Sequence, residues 1–535
     1  MRRVYQLSLA SHKPRQQARV PHIIPVSMET SLTTGISEAV EQWQEEAVRV
    51  TPVVPRTRHE LGQFLTPTHV ADFMASVFSV EASEVQLLDA GVGAGALTAA
   101  FVRRRCLAEP KPKSIAVTAY ELDDTVIDAL RKTLHECQLE CERVGIRFSS
   151  TVHNEDFISA AASILRADLF SPERPIFNAA IVNPPYRKLR SDSSARFWLR
   201  SVGIETSNFY TGFVALIIKL LAKDGELVAI TPRSFCNGPY FKPFRNELLE
   251  TMSLHRLHLF ESRSAAFGKD NVLQENIIVH AIKGEKQIQD VIISSSSGRP
   301  NGTASERHVP YSEVVSPNDP ERFIHVSLGD EHKRAKIAVN SFEATLTDLD
   351  LTISTGRVVD FRATTFLRKQ PNSDTAPLIY PCHFDGGLVA WPKENCKKPN
   401  AIMINDKTRE LLVPAGIYVL VKRFSSKEER RRIVACIYDP AQIPAERVAF
   451  ENHLNYFHVR GHGLPMFLAR GLAAFLNSTM IDSYFRQFSG HTQVNATDLR
   501  KLNYPTRDAL ENLGRKIQHP ISQGALDELL EAELF

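Results

Sequence analysis

The chain has 535 residues, 43% of them hydrophobic and 23% charged, with a formal net charge of +3. Two or three domains are expected at this length, and the composition is that of a globular protein with a large core. It excludes a chain that binds nucleic acid through bulk charge, a disulfide framework (seven scattered cysteines, an odd number), and a bilayer span of roughly 20 apolar residues. A reducing, cytoplasmic setting with free thiols and no membrane contact is the expectation.

Residues 1–27 contain Arg2, Arg3, Lys13, Arg15 and Arg19 and no acid. A basic DNA arm or a targeting peptide would fit, but a disordered extension over residues 1–35 is the preferred reading. Met28 is a second candidate start. Ile36, Val40, Trp43 and Ala47 have helical spacing, and a first domain is expected over 36–293. Gly62-Gln63-Phe64-Leu65-Thr66-Pro67 leads into Val70, Phe73, Met74 and Val77. Thr66 is expected to cap that helix, with Pro67 at its first position. A hydroxyl at a helix start also suits a carboxylate ligand; capping alone accounts for it equally well.

Three strand ends follow. Val85 to Asp89 runs into Gly91, Gly93 and Gly95, a turn that lets a ligand approach the backbone. Its acid precedes the glycines, which suits a ligand bearing a positive amine better than a pyrophosphate. The strand Ile115 to Tyr120 ends at Glu121, placed to take ribose hydroxyls. Thr151 to His153 leads to Asp156 and Phe157, an acceptor for an adenine amino group and a ring to pack on it. Each acid alone reads as an ordinary N-cap; the three with the glycine turn describe a nucleoside pocket. Cys137 and Cys141 between them lack a second pair and read as a helix-face coincidence, so no metal is expected.

The apolar run Phe177 to Val182 is a buried strand that stops at Asn183-Pro184-Pro185-Tyr186. An exocyclic amine on an aromatic base is a poor nucleophile because its lone pair is delocalised. The Asn183 side-chain oxygen and the Pro184 carbonyl can accept its two N–H bonds and localise that pair. Pro184 and Pro185 fix φ beforehand, and Tyr186 offers a face for the base. Such a site needs no titrating base; preorganised dipoles do the catalysis. The plain alternative is a proline-terminated strand with a packed tyrosine.

Arg187, Lys188, Arg190, Arg196 and Arg200 could meet phosphates or form a solvated loop. A helix is expected over 205–223 and strands over 226–231, 254–260 and 276–281. Phe267, between the last two, is either a base-stacking aromatic or a core residue. Ser294 to Ser297 with Gly298, Pro300 and Gly302 read as the start of a linker covering 294–340. Asp319, Glu331 and Lys333 within it loosely match a nuclease pattern that is common by chance. Residues 341–505 hold 21 Lys+Arg and 16 Asp+Glu. Basic loops there (362–369, 422–423, 430–432) interleave with Phe361, Phe366 and Phe424, which fits DNA reading or a solvated basic face. Residues 506–535 read as a helical tail without chemistry.

The order of these parts resembles the gamma-class N6-adenine DNA methyltransferases of type II restriction-modification systems, and more narrowly the PstI/BsuBI modification methylases. The similarity spans about residues 59–505. It includes Thr231-Pro232-Arg233-Ser234-Phe235-Cys236-Asn237-Gly238-Pro239-Tyr240, Gln274-Glu275-Asn276 and Gly490-His491-Thr492-Gln493-Val494-Asn495. The resemblance implies a Rossmann-like α/β fold with a seven-stranded mixed sheet, followed by a smaller mixed α+β target-recognition domain. It implies S-adenosylmethionine as donor. Thr66 would meet the methionine carboxylate; Asp89, Gly91, Gly93 and Gly95 the amino-acid end; Glu121 the ribose; Asp156 and Phe157 the adenine. Asn183 and Pro184 would hold the target N6, with Tyr186 and Phe267 on the two faces of the flipped base. The glycine loop reads Asp-Ala-Gly where the class commonly has Asp/Glu-Pro. Double-stranded DNA would be the partner, CTGCAG the site and a separate restriction endonuclease the companion of a monomeric enzyme. Two other classes stay open: a methyltransferase of an RNA base or a protein glutamine, and an inactive DNA-binding module.

Overall fold

The computed structural model describes residues 66–79, 81–166, 175–260, 275–284, 286–298, 304–326, 329–425, 429–487, 493–517 and 520–535. The helix expected at 36–50, the stretch Gly62 to Leu65, Phe267 and Gly490 to Thr492 lie outside these residues. Among the described residues no helix is long and apolar enough to cross a membrane.

Nine strands form the first sheet: β1 Glu84–Ala90, β2 Ser114–Tyr120, β3 Arg147–His153, β4 Phe177–Val182, β5 Leu221–Pro232, β6 Met252–Phe260, β7 Asn276–Lys283, β8 Asp290–Ser296 and β9 Ser305–Pro310. Their spatial order is β3-β2-β1-β4-β5-β7-β6-β8-β9. The first five strands in space are parallel, and β7 is inserted antiparallel between β5 and β6. This is the expected seven-stranded mixed sheet, extended by β8 and β9. The chain builds outward from β1 to β3, then crosses back to lay β4 on the other side of β1. That reversal opens a crevice at the carboxyl ends of β1 and β4, where such sheets bind ligands.

The central strands are continuous apolar runs because helices cover both faces. On one face lie α1 Thr68–Ser76, α2 Ala96–Leu107 and α3 Ile127–Arg143, contributing Val70, Met74, Phe101, Leu130 and Leu134 to a core. On the other lie α4 Phe157–Arg166, α5 Ser194–Ser201, α6 Phe209–Leu220 and α7 Lys242–Thr251, with Ile158, Leu199, Leu216 and Leu248 inward. Cys137 and Cys141 are both buried on α3, and Cys141 Sγ lies 3.8 Å from Cys106 Sγ.

The serine run expected as a linker is instead part of β8. His258 on the neighbouring β6 bonds to Ser294 Oγ at 2.9 Å and Ser296 Oγ at 3.1 Å. Serines whose hydroxyls are satisfied inside a sheet read in sequence like loop serines. Burial pushes the His258 imidazole down to about 3, with Arg256 adding to it, so the ring stays neutral in that role. The remainder of 294–340 is also built in: Ile324 N–H donates to the Cys236 carbonyl and Val326 N–H to the Gln487 carbonyl. Asp319 accepts from the backbone of Glu321 and Phe323, and Glu331 from Ser483, so these acids serve turns and packing.

The carboxy-terminal body contains two further sheets. One runs, in space, Thr352–Thr355, Leu454–His458, Tyr418–Lys422, Ala435–Tyr438, Leu388–Val389, Phe384–Asp385. The other runs Leu367–Arg368, Ala401–Met403, Thr375–Ile379, Arg447–Phe450, Leu412–Pro414. Tyr418, Tyr438, Phe450 and Tyr456 share one core. The tail does not hang free. Helices α8 Asp330–Ser341, α9 Met466–Leu476, α10 Thr479–Arg486, α11 Arg507–Lys516 and α12 Gln523–Leu534 share a second core, with Leu510, Leu513, Ile517, Leu526 and Leu530 buried in it. Cys382 and Cys396 are joined by a disulfide, whereas the other five cysteines are free and buried. Their separation of 14 residues carried no sign of the pairing, and the expectation of free thiols fails for these two.

Candidate functional site

The crevice between β1 and β4 gathers the residues that the strand ends pointed to. Gly91, Gly93 and Gly95 have φ of 79°, 57° and 92°, a region side chains avoid. A Cβ on Gly95 would also sit 2.8 Å from Thr133 Cγ2, so this turn needs glycine twice over. Asp89 is fully buried; one carboxylate oxygen accepts from the Thr98 hydroxyl at 2.7 Å and the other has no hydrogen-bond partner among the described residues. Burial pushes its carboxyl up to about 7, only partly offset by Thr98. A buried, half-satisfied carboxylate beside an open glycine turn is a receptor for a cationic group.

Glu121 accepts three backbone N–H groups at 2.8 Å, from Gly93, Leu122 and Asp123. Its carboxylate therefore ties the glycine loop to the end of β2; burial still raises its carboxyl above the ordinary value. Asp156 accepts from Ile158 N–H at 3.0 Å at the start of α4. Phe157 is 3% exposed, with its ring 5.2 Å from Tyr120 and 5.1 Å from Phe213. It packs chiefly in the core.

Asn183 follows β4 directly, and Pro184 is buried behind it. The Asn183 amide is held at both ends: its nitrogen donates to Thr66 Oγ1 at 3.0 Å, and its oxygen accepts from the Tyr186 hydroxyl at 2.7 Å. Thr66 is thus not the cap of α1. The residue before α1 is Pro67, whose carbonyl takes Val70 and Ala71 N–H, and no side chain caps the helix. One position further out, the Thr66 hydroxyl is buried and turned to Asn183, 117 residues along the chain. Sequence spacing held no signal of this link, nor of Thr98 as the partner of Asp89. The basic run after Tyr186 is largely self-paired. Arg190 bonds Asp192, Arg196 and Arg200 bond Glu205, and the Arg187 guanidinium lies 4.0 Å from the Phe209 ring centroid.

Residues 118–267 match the family described as Eco57I restriction-modification methylase. The chain is 42% identical to the type II methyltransferase M.PstI of Providencia stuartii over 96% of its length and 98% of that protein's. It is likewise 42% identical to M.BsuBI of Bacillus subtilis, over 94% of this chain and 99% of the relative. Among solved structures, a DrdV–DNA complex aligns with 90% of this chain and 59% of its own, at 11% identity and a TM-score of 0.46. The chain belongs to the type II restriction-modification methyltransferases.

This type II methyltransferase therefore methylates DNA, with S-adenosylmethionine as its methyl donor, and the readings as an RNA or protein methyltransferase fall away. The crevice fits that donor. Asp89, with one orphaned buried oxygen, lies at the end of β1 just before a turn of positive-φ glycines, and Glu121 and Asp156 follow at the next two strand ends. In the carboxy-terminal body, Phe361 is 75% exposed beside exposed Arg362, and Lys369 is exposed on the same stretch. Phe424 is exposed next to Arg423, and Val494, from the stretch shared with the family, donates its N–H to the Arg423 carbonyl at 2.7 Å. The run 430–432 is different: Arg432 is buried and its N–H donates to Asp482, so this loop is partly structural. Phe366 also turns inward, against the core of the five-stranded sheet.

Proposed function

We propose that this type II methyltransferase transfers the methyl group to N6 of adenine in duplex DNA after the base is flipped from the helix. One observation supports this most: an oriented amide acceptor, Asn183, and a proline carbonyl, Pro184, follow β4 at the topological switch point beside the donor crevice. S-adenosylmethionine supplies an electrophilic methyl group. The chain's part is to accept the two N6–H bonds through Asn183 Oδ1 and the Pro184 carbonyl. Pro185 fixes the turn, and Tyr186, with Phe267, encloses the base. Flipping is needed because an amine in a base pair already has one N–H engaged. Thr66, Asp89, Gly91, Gly93, Gly95, Glu121, Asp156 and Phe157 are assigned to the donor as the resemblance implies. Cytosine N4 offers the same amine; the gamma-class order of parts favours adenine. The likeness to the PstI/BsuBI group favours CTGCAG, a monomeric enzyme and a separate companion endonuclease. Mass spectrometry of DNA modified by the chain should yield N6-methyladenine, and methylation-sensitive sequencing should place it in CTGCAG. N4-methylcytosine would overturn the base; another sequence would overturn the hexamer alone.

The Asp89 assignment carries its own prediction. Its folded-state value of about 7 lies above the ordinary 3.8. The native state therefore keeps a proton that the unfolded chain has released, and this group's contribution to stability falls as pH rises between those values. A cationic donor amine requires the ionised form. Cofactor affinity should then weaken up to about tenfold per pH unit as pH drops below about 7. Calorimetric titration of the wild type and of Asp89→Asn tests it: the variant should bind weakly with a flat profile. A flat profile in the wild type would remove Asp89 from this role.

A further inference from the structure

We infer that the hydroxyls of Tyr186 and Thr66 are positioning groups that lock the Asn183 amide in its reactive orientation, and that Thr66 couples this lock to the donor. The inference rests on the amine-methylation reading above. Three contacts of ordinary length form a directional chain. Tyr186 Oη lies 2.7 Å from Asn183 Oδ1 and 3.3 Å from the Ile230 carbonyl, and Asn183 Nδ2 lies 3.0 Å from Thr66 Oγ1. The polarity of the chain follows from donor chemistry. A phenol has one hydrogen, and the short contact gives it to Asn183; the amide nitrogen can only donate, so Thr66 accepts.

The reverse amide orientation would present NH₂ to an amine; Thr66 would then have to donate its hydrogen to Asn183 and Tyr186 its own to the Ile230 carbonyl, leaving Thr66 none for the donor. Tyr186 packs against the core of the first sheet, and burial holds its phenol above the ordinary range, so it remains a donor at neutral pH. Having accepted from Asn183, the buried Thr66 hydroxyl has its own hydrogen left to donate, and no acceptor for it among the described residues. An anionic group at the donor end of the crevice completes the chain. Donor binding then stabilises the orientation that grips the target amine, and by linkage the gripped amine tightens donor binding.

This gives Tyr186 a task beyond offering a face to the base, and Tyr186→Phe separates the two. The ring stays and the hydroxyl goes. We expect kcat to fall about 10- to 100-fold, with KM for DNA and for S-adenosylmethionine within about twofold of wild type and unchanged 2-aminopurine brightening on DNA binding. Thr66→Val should lower kcat comparably and also weaken the donor, while Thr66→Ser, which keeps the hydroxyl, should restore both. Melting temperatures of the variants, each compared with wild type, keep misfolding from counting as support. A Tyr186→Phe enzyme with wild-type kcat would overturn the lock. A Thr66→Val enzyme with only a raised donor KM would overturn the coupling. A wild-type enzyme that leaves no methylated exocyclic amine in DNA would instead overturn the amine reading itself.

Discussion

Asn183→Ala is expected to slow methyl transfer by about 10²–10³-fold, the loss found when one preorganised dipole that acts mainly in the transition state is removed. The base nitrogen gains nucleophilicity only as its lone pair leaves conjugation, and that requires acceptors already in place when the methyl group moves. Alanine removes one of the two and leaves the Thr66 and Tyr186 hydroxyls without their shared partner. Pro184 and Pro185 still hold the turn, and Asp89, Glu121 and Asp156 are held by Thr98, the glycine loop and the start of α4, so donor affinity should stay within a few-fold. Asn183→Asp keeps an acceptor oxygen but cannot donate to Thr66 and brings a charge; an intermediate rate is expected. Single-turnover assays at saturating donor isolate the step. A wild-type rate in the alanine variant would remove the tetrapeptide from the chemistry.

The features that could be read from sequence are those whose chemistry is local. The glycine turn, Glu121, Asp156 and Asn183 each sit within a few residues of a strand end, and a strand end in a parallel sheet is a position in space as much as in sequence. What could not be read depends on partners far along the chain. Thr66 has the local look of a helix cap; the backbone of Pro67 takes that role and Asn183 claims the hydroxyl. The serines of β8 look like a linker until His258 supplies their hydrogen bonds. Arg190, Arg196 and Arg200 look like a phosphate surface, yet two nearby acids, Asp192 and Glu205, take them. Arg432, likewise, joins a basic run but is buried. Polar residues declare their type in sequence and their direction only in the fold.

The largest effect on stability is expected from deleting residues 506–535, the segment whose sequence shows no chemistry. α11 crosses α9 at very short range: a Cβ on Gly471 would lie 1.8 Å from the Leu510 carbonyl oxygen, and one on Gly514 1.8 Å from that of Phe467. The two helices touch through their backbones, with Leu468, Leu472 and Phe475 of α9 in the same core as Leu510, Leu513, Ile517, Leu526 and Leu530. Deletion uncovers those three α9 side chains. At roughly 1.5–3 kcal/mol for each buried side chain, the loss is about 5–9 kcal/mol, an upper estimate because a denatured chain already hides some of this surface. A domain is stable by only about 5–15 kcal/mol in all. The truncated chain should therefore lose cooperative unfolding of the carboxy-terminal body and DNA binding with it, while the donor crevice, built on the first sheet, still binds S-adenosylmethionine. Gly514→Val tests the same contact with the full chain: its side chain cannot fit against the Phe467 carbonyl unless the helices part, so the melting temperature should drop by several degrees. A truncated enzyme that binds duplex DNA and melts like the full chain would show that α11 and α12 cover the core without supporting it.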